Sequence, residues 1–338
     1  MKSTRRYLIS TITCACITVS LTSVQAQSFT PAVIFDMGGK HDKSFNQSAF
    51  DGAERFKKDF NVAYLEAEVT ADSQREQIFR NLIRRGATVI FATGFAQRTI
   101  VGKLAPEFPD VKFVLVNVKP EADYPNVQSA MFREEEGSFL AGISAASSSK
   151  ASKVGFVGGM DQPLIRRFGC GYSQGAKYYN PKIEVITNMV GTTPAAFRDP
   201  TRGGELAISQ FDRGVDVIFA AAGNTGTGVL QAAKDKGRFA IGVDSNQNHL
   251  HPGTMLTSMV KHVDTALYEA FKMVRQQQWK SGVVTYGLSN KGISLAMDEH
   301  NQKFISKELA ARLKKAEEDI VSGKIKVHDY VTNNACPV

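Results

Sequence analysis

Several features that mark common protein classes are missing from this 338-residue sequence. After the N-terminal segment, no run of about 18 apolar residues is present that could span a bilayer. The sequence has no His-Glu-x-x-His motif, which argues against the common zinc proteases. It also has no basic run interleaved with aromatic residues, and its formal charge of +8 is a mild excess. We therefore expect no nucleic-acid partner.

The N-terminus has the pattern of an export signal. Three positive residues within the first six precede an uncharged segment, residues 7–24. Small residues then precede a predicted cleavage site after Ala26, so residues 1–26 are predicted to be a signal peptide of a periplasmic protein. A membrane anchor is the alternative, but the segment is rich in Ser and Thr. Neither Cys14 nor Cys16 has the surroundings of a lipidated cysteine, so we expect no lipid anchor.

Cysteine is scarce, and the predicted mature chain retains two of the four cysteines, Cys170 and Cys336. Two cysteines so far apart in the sequence do not indicate a zinc site, and we expect neither a metal nor a cofactor. In an oxidising compartment the two thiols either form a disulfide or stay free. The sequence leaves both possibilities open.

After the predicted signal, short apolar runs alternate with longer amphipathic segments. The apolar runs are typical of strands in a parallel sheet that helices cover on both faces. The segment 44–60 has Phe45, Ala49, Ala53 and Phe56 near helical spacing. This rhythm occurs twice, which predicts an α/β protein with two doubly wound lobes and a central cleft.

The predicted strands are 32–35, 61–66, 87–92, 112–116, 153–157, 183–189, 215–220 and 239–243. The predicted helices are 44–60, 73–85, 163–179, 200–211, 225–236 and an amphipathic helix at 308–326. The acidic run Glu134–Glu136 is interpreted as a solvated turn or helix start. Small and polar residues at 142–152 are the best boundary between the lobes.

Ligands of doubly wound sheets bind beyond the carboxyl ends of the strands. The predicted loops at those ends are rich in Gly, Asn, Asp and Phe. This mixture suits a small polar ligand that has a flat apolar part.

The segment 36–47, Asp-Met-Gly-Gly-Lys-His-Asp-Lys-Ser-Phe-Asn-Gln, resembles the opening signature of the basic membrane protein family. That family comprises substrate-binding proteins of ABC transporters and is similar to purine nucleoside receptors. Further matches follow in the same order at 136–142, 153–159, 197–200, 222–226, 242–244 and 256–261. The resemblance covers residues 30 to 300 and implies a type I periplasmic-binding-protein fold.

In that fold, three crossings of the chain join the two lobes. We place them near Ser144, Ser258 and Tyr286, which assigns a predicted helix at 264–277 to the first lobe. Lobe 1 is then 27–144 plus 258–286, and lobe 2 is 145–257 plus 287–338.

The resemblance also implies a ligand site in the cleft. Phe45 would stack on one face of a purine base, and Phe168 or Phe197 would cover the other face. For each phenylalanine the alternative is a place in the core. Asp244 would accept hydrogen bonds from ribose hydroxyls and Lys261 would donate to the sugar. The remaining expected site residues are Asp36, Asn46, Asn117, Gly223 and Asn224.

Asn117 stands where the family pattern has an aspartate, which leaves the base preference open.

The resemblance implies a monomeric substrate-binding protein, not an enzyme, that brings a purine nucleoside or nucleobase to the membrane permease of an ABC importer. One alternative is an exported nucleoside hydrolase that uses Asp36 and Asp42 in a calcium-assisted site. Another is a signal-molecule receptor with the same fold.

Overall fold

The computed structural model describes residues 29–338, which form two six-stranded sheets with helices packed around them. In chain order the strands are β1 (Pro31–Phe35), β2 (Leu65–Glu68), β3 (Val89–Ala92), β4 (Lys112–Val116), β5 (Val127–Phe132), β6 (Lys153–Met160), β7 (Glu184–Gly191), β8 (Val217–Ala221), β9 (Phe239–Asp244), β10 (Met255–Lys261), β11 (Gly282–Tyr286) and β12 (Ile293–Leu295). The helices are α1 (Phe45–Phe60), α2 (Arg75–Arg84), α3 (Arg98–Glu107), α4 (Glu134–Ser148), α5 (Pro163–Tyr179), α6 (Pro200–Asp212), α7 (Thr225–Asp235), α8 (Val263–Arg275) and α9 (Lys307–Val321).

The predicted signal peptide lies outside the described residues. Between residues 29 and 338, none of the helices combines the length and the apolar character that crossing a membrane requires.

Both sheets are doubly wound. The first has the strand order β11-β5-β4-β3-β1-β2, and all of its strands are parallel. The second has the order β12-β10-β9-β8-β6-β7, and only β12 runs antiparallel to its neighbour among these strands. The order reverses beside β1 and beside β6, which creates a switch point in each sheet. The predicted α/β fold with two doubly wound lobes is confirmed.

Strand β1 illustrates why helices lie on both faces of the sheet. Val33 and Phe35 belong to one apolar cluster, Ala32 and Ile34 to another, and all are 0% exposed. Because successive strand side chains point to opposite faces, a strand that is apolar at every position needs cover on both sides.

Strand β2 departs from the predicted pattern. It begins at Leu65, later than the predicted start at 61, because Asn61 ends α1 in a left-handed conformation with φ of 51°. It is an edge strand paired only with β1 in the described sheet, and Glu66 and Glu68 are exposed. The expectation that every strand is apolar on both faces is therefore wrong for β2.

Helix α5 has the predicted bounds.

Helix α4 packs on α5 and β10 and thus belongs with the second sheet. A Cβ added to Gly142 would collide with the backbone of Tyr172, and one added to Gly175 would collide with that of Phe139. The small residues that suggested a lobe boundary instead allow close helix packing. The chain leaves the first sheet near Arg133, ahead of the expected crossing at Ser144.

The chain returns to the first lobe after β10. Helix α8 packs on α1, where Gly52 lies against the backbone of Asp264. Strand β11 then pairs with β5, and after Tyr286 the chain passes to β12 in the second sheet. Each lobe is thus built from segments that are separated in sequence. The carboxyl ends of the strands of one lobe face those of the other.

Candidate ligand-binding site

A cavity lies between the two sheets, at the carboxyl ends of their strands. Including its open mouth, the empty space measures about 600 Å³, and only a small part of it is wide enough for a water molecule. The cavity is therefore narrow, which suits a flat ligand. Its lining consists of Asp36, Met37, Asp42, Phe45, Asn46, Gly94, Phe95, Asn117, Gln162, Leu164, Ile165, Phe168, Phe197, Ala221, Gly223, Val243, Asp244 and Lys261.

Most of the residues expected at the site line this cavity. They are Asp36, Phe45, Asn46, Asn117, Phe168, Phe197, Gly223, Asp244 and Lys261. Asn224 is outside the lining, at the start of α7, where its carbonyl accepts the N–H of Thr227. Phe168 lines the cavity, is 3% exposed and is also part of the apolar core. A place in the core is therefore compatible with a ring that covers the ligand.

Asp36 follows β1 and is held in place by three residues. Its carboxylate lies 2.7 Å from Nη1 of Arg75, a side chain that is 3% exposed. The Asp36 N–H donates to Oδ1 of Asn46 and to the Thr93 hydroxyl, and Nδ2 of Asn46 donates back to the Asp36 carbonyl. Burial raises the pKa of Asp36, while Arg75 opposes the shift. Asn46 thus stabilises the first loop.

Asp42 caps the N-terminus of α1. Its carboxylate accepts the backbone N–H groups of Ser44, Asn46 and Gln47 at 2.8 to 3.0 Å. Burial raises its pKa to about 7, although these donors favour the charged form. Both carboxylates required by the hydrolase alternative, Asp36 and Asp42, are therefore engaged by donors of the protein itself.

The two lobes touch beside Asp244. The hydroxyl of Ser44 donates to Oδ2 of Asp244 at 2.6 Å, and the hydroxyl of Ser245 donates to the Ser44 carbonyl at 2.7 Å. Nε2 of Gln247 donates to the Lys43 carbonyl at 2.9 Å. Burial raises the pKa of Asp244, against the opposing charge of Lys261. These bonds hold the start of α1 against the end of β9.

Lys261 ends β10 in an aromatic and acidic surrounding. Its ammonium lies 5.2 Å from the ring centre of Phe45, 4.8 Å from that of Phe132 and 5.6 Å from that of Phe168. It also lies 2.6 Å from Oε1 of Glu134. At such distances the π faces attract the cation, and the carboxylate neutralises it.

The acidic run is the predicted helix start, but the interpretation that it is solvated is wrong. Glu134 is 0% exposed, and its second oxygen lies 2.8 Å from Nη1 of Arg167. Burial also raises the pKa of Glu135 to about 8, partly opposed by Arg167. The run begins α4, where carboxylates meet the positive end of the helix dipole and the cations of two neighbouring elements.

Two cavity residues have strained backbones. Asn117 has φ of 69° and Asp244 has φ of 63°, in the left-handed region that non-glycine residues rarely adopt. Such strain costs about 1–3 kcal/mol and concentrates at functional sites. The buried Oδ1 of Asn117 and the buried Nε2 of Gln162 have no hydrogen-bond partner in the protein. Both atoms belong to side chains that line the cavity, so they suit polar groups of a ligand.

Gln162, Arg75 and the role of Glu134 were not predicted from the sequence. Gln162 follows β6, so its place at a strand end was the available signal.

A Gly-x-Ser-x-Gly sequence also occurs at 171–175, and this motif marks a nucleophile only in a turn between a strand and a helix. Here it lies inside α5, where the Ser173 hydroxyl donates to the Gly169 carbonyl.

The sequence is similar to known proteins over most of its length. The family model described as "ABC transporter substrate-binding protein PnrA-like" matches residues 29–330. Basic membrane protein D of Borreliella burgdorferi is 35% identical over 90% of this chain and 89% of its own length. The "ABC transporter nucleoside-binding protein BmpA" of Lactococcus lactis is 31% identical over 88% of each chain. Three relatives from Pyrococcus species are named lipoproteins, which weighs against the expectation of an unlipidated N-terminus.

Solved structures show the same fold. A solute-binding protein of an ABC transporter system from Aeropyrum pernix superposes with a TM-score of 0.82. It is 29% identical, and the match covers 89% of this chain and 94% of that one. The architecture is the type I fold of periplasmic solute-binding proteins. The chain belongs to the Bmp family of PnrA-like ABC transporter substrate-binding proteins, which are binding proteins and not enzymes.

Proposed function

We propose that this protein binds a purine nucleoside or nucleobase between its lobes and presents it to the membrane permease of an ABC importer. The observation that supports this most is the combination of aromatic walls with unpartnered amide atoms in one narrow cavity. The relative from Lactococcus lactis that is named a nucleoside-binding protein adds support.

The aromatic residues suit the flat faces of a base. Phe45 approaches from the first lobe, and Phe168 and Phe197 approach from the second. A base stacked on one such ring gains on the order of 1–3 kcal/mol, by analogy with bases in nucleic-acid complexes. Phe45 is partly buried against the core, so its ring is supported from behind.

The amide atoms suit the polar edge of a purine. The free Oδ1 of Asn117 can accept a hydrogen bond from an exocyclic amine or a ring N–H, and the free Nε2 of Gln162 can donate to a ring nitrogen or a carbonyl. Asparagine and glutamine amides pair with adenine through one donor and one acceptor. Hypoxanthine offers a ring N–H and a carbonyl to the same two atoms, so we infer that both adenine and hypoxanthine compounds bind.

The charges of the lining disfavour a phosphate group. Asp36, Asp42 and Asp244 line the cavity, whereas Lys261 is the one cation in the lining of the described residues. Lys261 is already paired with Glu134. A phosphate would thus meet carboxylates without a free cation, and we expect nucleotides to bind more weakly than nucleosides.

Isothermal titration calorimetry with adenosine, inosine, guanosine, adenine, cytidine and AMP tests these proposals. We expect one purine nucleoside or nucleobase per chain, and at least about tenfold weaker binding of AMP than of adenosine. Replacing Phe45 by alanine should weaken adenosine binding, whereas Phe304→Ala, a partly buried ring outside the cavity, should not. Failure of every purine to bind would refute the proposal.

A second measurement separates receptor from enzyme. Chromatography of nucleosides incubated with the protein should show no released base, in keeping with the family of binding proteins. Export is part of the proposed function, because a receptor for an importer must lie outside the cytoplasmic membrane. Fractionation of producing cells, with mass analysis of the mature N-terminus, would distinguish a cleaved soluble form from a lipidated one.

A further inference from the structure

We infer that the C-terminal strap, defined as residues 322–338, positions Lys261 of the cavity through a buried chain of ion pairs, with Asp329 as the positioning residue at its outer end. The strap follows α9 and lies against α5. It contributes no residue to the lining of the cavity. The inference rests on the proposed function in so far as Lys261 contacts the ligand.

The strap is attached to α5 on both sides of Asp329. After it, Cys336 forms a disulfide with Cys170 of α5. Before it, the carbonyl of His328 accepts from Nε2 of Gln174 at 3.0 Å, and the His328 N–H donates to Oε1 of Gln174 at 2.8 Å. Asp329 is thus held over one turn of α5, the helix that also presents Phe168 to the cavity.

A chain of four charged side chains leads inward from Asp329. Its two carboxylate oxygens accept from Nε and Nη2 of Arg167 at 2.7 and 3.0 Å. Nη1 of Arg167 donates to Oε2 of Glu134 at 2.8 Å, and Oε1 of Glu134 lies 2.6 Å from Nζ of Lys261. Side-chain exposure falls along the chain, from 33% at Asp329 through 9% at Arg167 to 0% at Glu134 and 1% at Lys261.

The geometry of Arg167 explains how the outer residue affects the inner one. A bidentate pair fixes the plane of a guanidinium group, so Asp329 sets where Nη1 points, together with the Phe132 carbonyl that accepts from Nη1 at 3.0 Å. Glu135 offers a competing carboxyl oxygen 3.7 Å from Nε of Arg167. Without the Asp329 charge, Arg167 can turn toward Glu135, and Glu134 then loses one of its two cationic partners. Lys261, which depends on Glu134, shifts with it.

Calorimetry with adenosine on four forms of the full chain tests this inference. Asp329→Asn should weaken binding roughly 5- to 150-fold, the range of an ordinary coupling between two sites. Asp329→Glu restores the charge and should recover most of the affinity. The matched control is Asp212→Asn. This exposed aspartate ends α6, lies 3.5 Å from Nζ of Lys236 and is not part of the cavity lining, so the variant should bind adenosine as the unchanged protein does.

The disulfide provides a second route to the same change. The double variant Cys170→Ser/Cys336→Ser should weaken adenosine binding in the same direction as Asp329→Asn. Adding Asp329→Asn to it should cost less than the product of the separate losses, because both changes release the same contact. Should Asp329→Asn fail to fold, this double variant serves in its place. Unchanged affinity in Asp329→Asn and in the cysteine double variant would overturn the inference.

A ligand-free measurement separates this inference from the proposed function. Hydrogen exchange of the peptide that spans β10, residues 255–261, should be faster in Asp329→Asn than in Asp212→Asn. If the unchanged protein binds no purine, the proposed function fails, and this exchange result alone decides the positioning role. Equal exchange in the two variants would overturn it.

Discussion

The buried pair of Lys261 and Glu134 allows a prediction of stability with its magnitude. The two side chains are 1% and 0% exposed, and their charged atoms are 2.6 Å apart. Removing one partner of such a pair costs about 3–5 kcal/mol, because it leaves a buried charge uncompensated. Lys261→Met leaves Glu134 with Arg167 as a cationic partner, so the lower end of the range, about 3 kcal/mol, is expected.

Glu134→Gln leaves Lys261 without its ion-pair partner and also removes one of the carboxylates beside Arg167, so the upper end of the range, about 5 kcal/mol, is expected. The double variant leaves only Arg167, which keeps its bidentate partner Asp329. Its cost should therefore fall well below the sum of the single costs, and the difference measures the coupling of the pair.

Urea unfolding at pH 7, followed by circular dichroism, measures these free energies. The control is Lys236→Met. Nζ of Lys236 lies 3.5 Å from the carboxylate of Asp212, a side chain that is 65% exposed, so loss of this ion pair should cost less than about 1 kcal/mol. A cost below about 1 kcal/mol for Lys261→Met, or additive single costs in the double variant, would refute the electrostatic reasoning.

The remaining predictions concern binding, pH and the disulfide. Phe45→Ala should weaken adenosine binding by about 1–3 kcal/mol in calorimetry, since one stacking ring is lost. Asp244→Ala should cost about 2–5 kcal/mol with adenosine but much less with adenine, which has no ribose hydroxyls to pair. The folded-state pKa of Glu135 is about 8, above its ordinary value of 4.5, so its neutral form stabilises the fold at low pH. That contribution should decline as pH rises from 4.5 to about 8, by at most roughly 5 kcal/mol, and Glu135→Gln should flatten the urea-midpoint profile. Replacing Cys170 and Cys336 by serine opens a loop with a sequence separation of 166 and should cost about 5 kcal/mol in the chain-entropy model, measured by urea unfolding.

Each of these predictions has an outcome that contradicts it. An unchanged adenosine affinity in Phe45→Ala would show that this ring is not part of the site. Equal losses of affinity for adenosine and adenine in Asp244→Ala would show that Asp244 has a structural role. A pH profile that keeps its slope in Glu135→Gln would assign the slope to another carboxyl. A disulfide cost near zero would mean that the strap is held by its other contacts.

The alternation of apolar runs and amphipathic helices was sufficient to predict the two lobes. Helix α5 was predicted with its observed bounds because Pro163 starts it and the apolar spacing continues to Tyr179. The boundary between the lobes was harder to predict, because small residues such as Gly142 are also typical of a linker. In the fold they permit α4 and α5 to approach closely, and only the partner helix reveals this.

The cavity lining was largely predictable because it follows strand ends and a family motif. What could not be predicted are its long-range pairings. Arg75 reaches Asp36, and Arg167 joins α5 to α4 and to the strap, through contacts between residues far apart in sequence. A run of three glutamates is usually solvated, and burial at Glu134 becomes possible only when two cations from other elements surround it.

We expect the contacts between the lobes to couple ligand binding to closure of the cleft. Ser44 stands at the start of α1, one residue before Phe45, and it donates to the same Asp244 carboxylate that is proposed to hold a ribose. Opening the cleft would remove the Ser44 bond and withdraw Phe45 from Phe168 and Phe197. It would also leave the raised-pKa carboxyl of Asp244 without its hydroxyl donor. A ligand between the rings adds contacts that only the closed arrangement provides, so it shifts the population toward that arrangement by its differential affinity. In the proposed function, the permease then distinguishes a loaded receptor from an empty one by the relative position of the lobes.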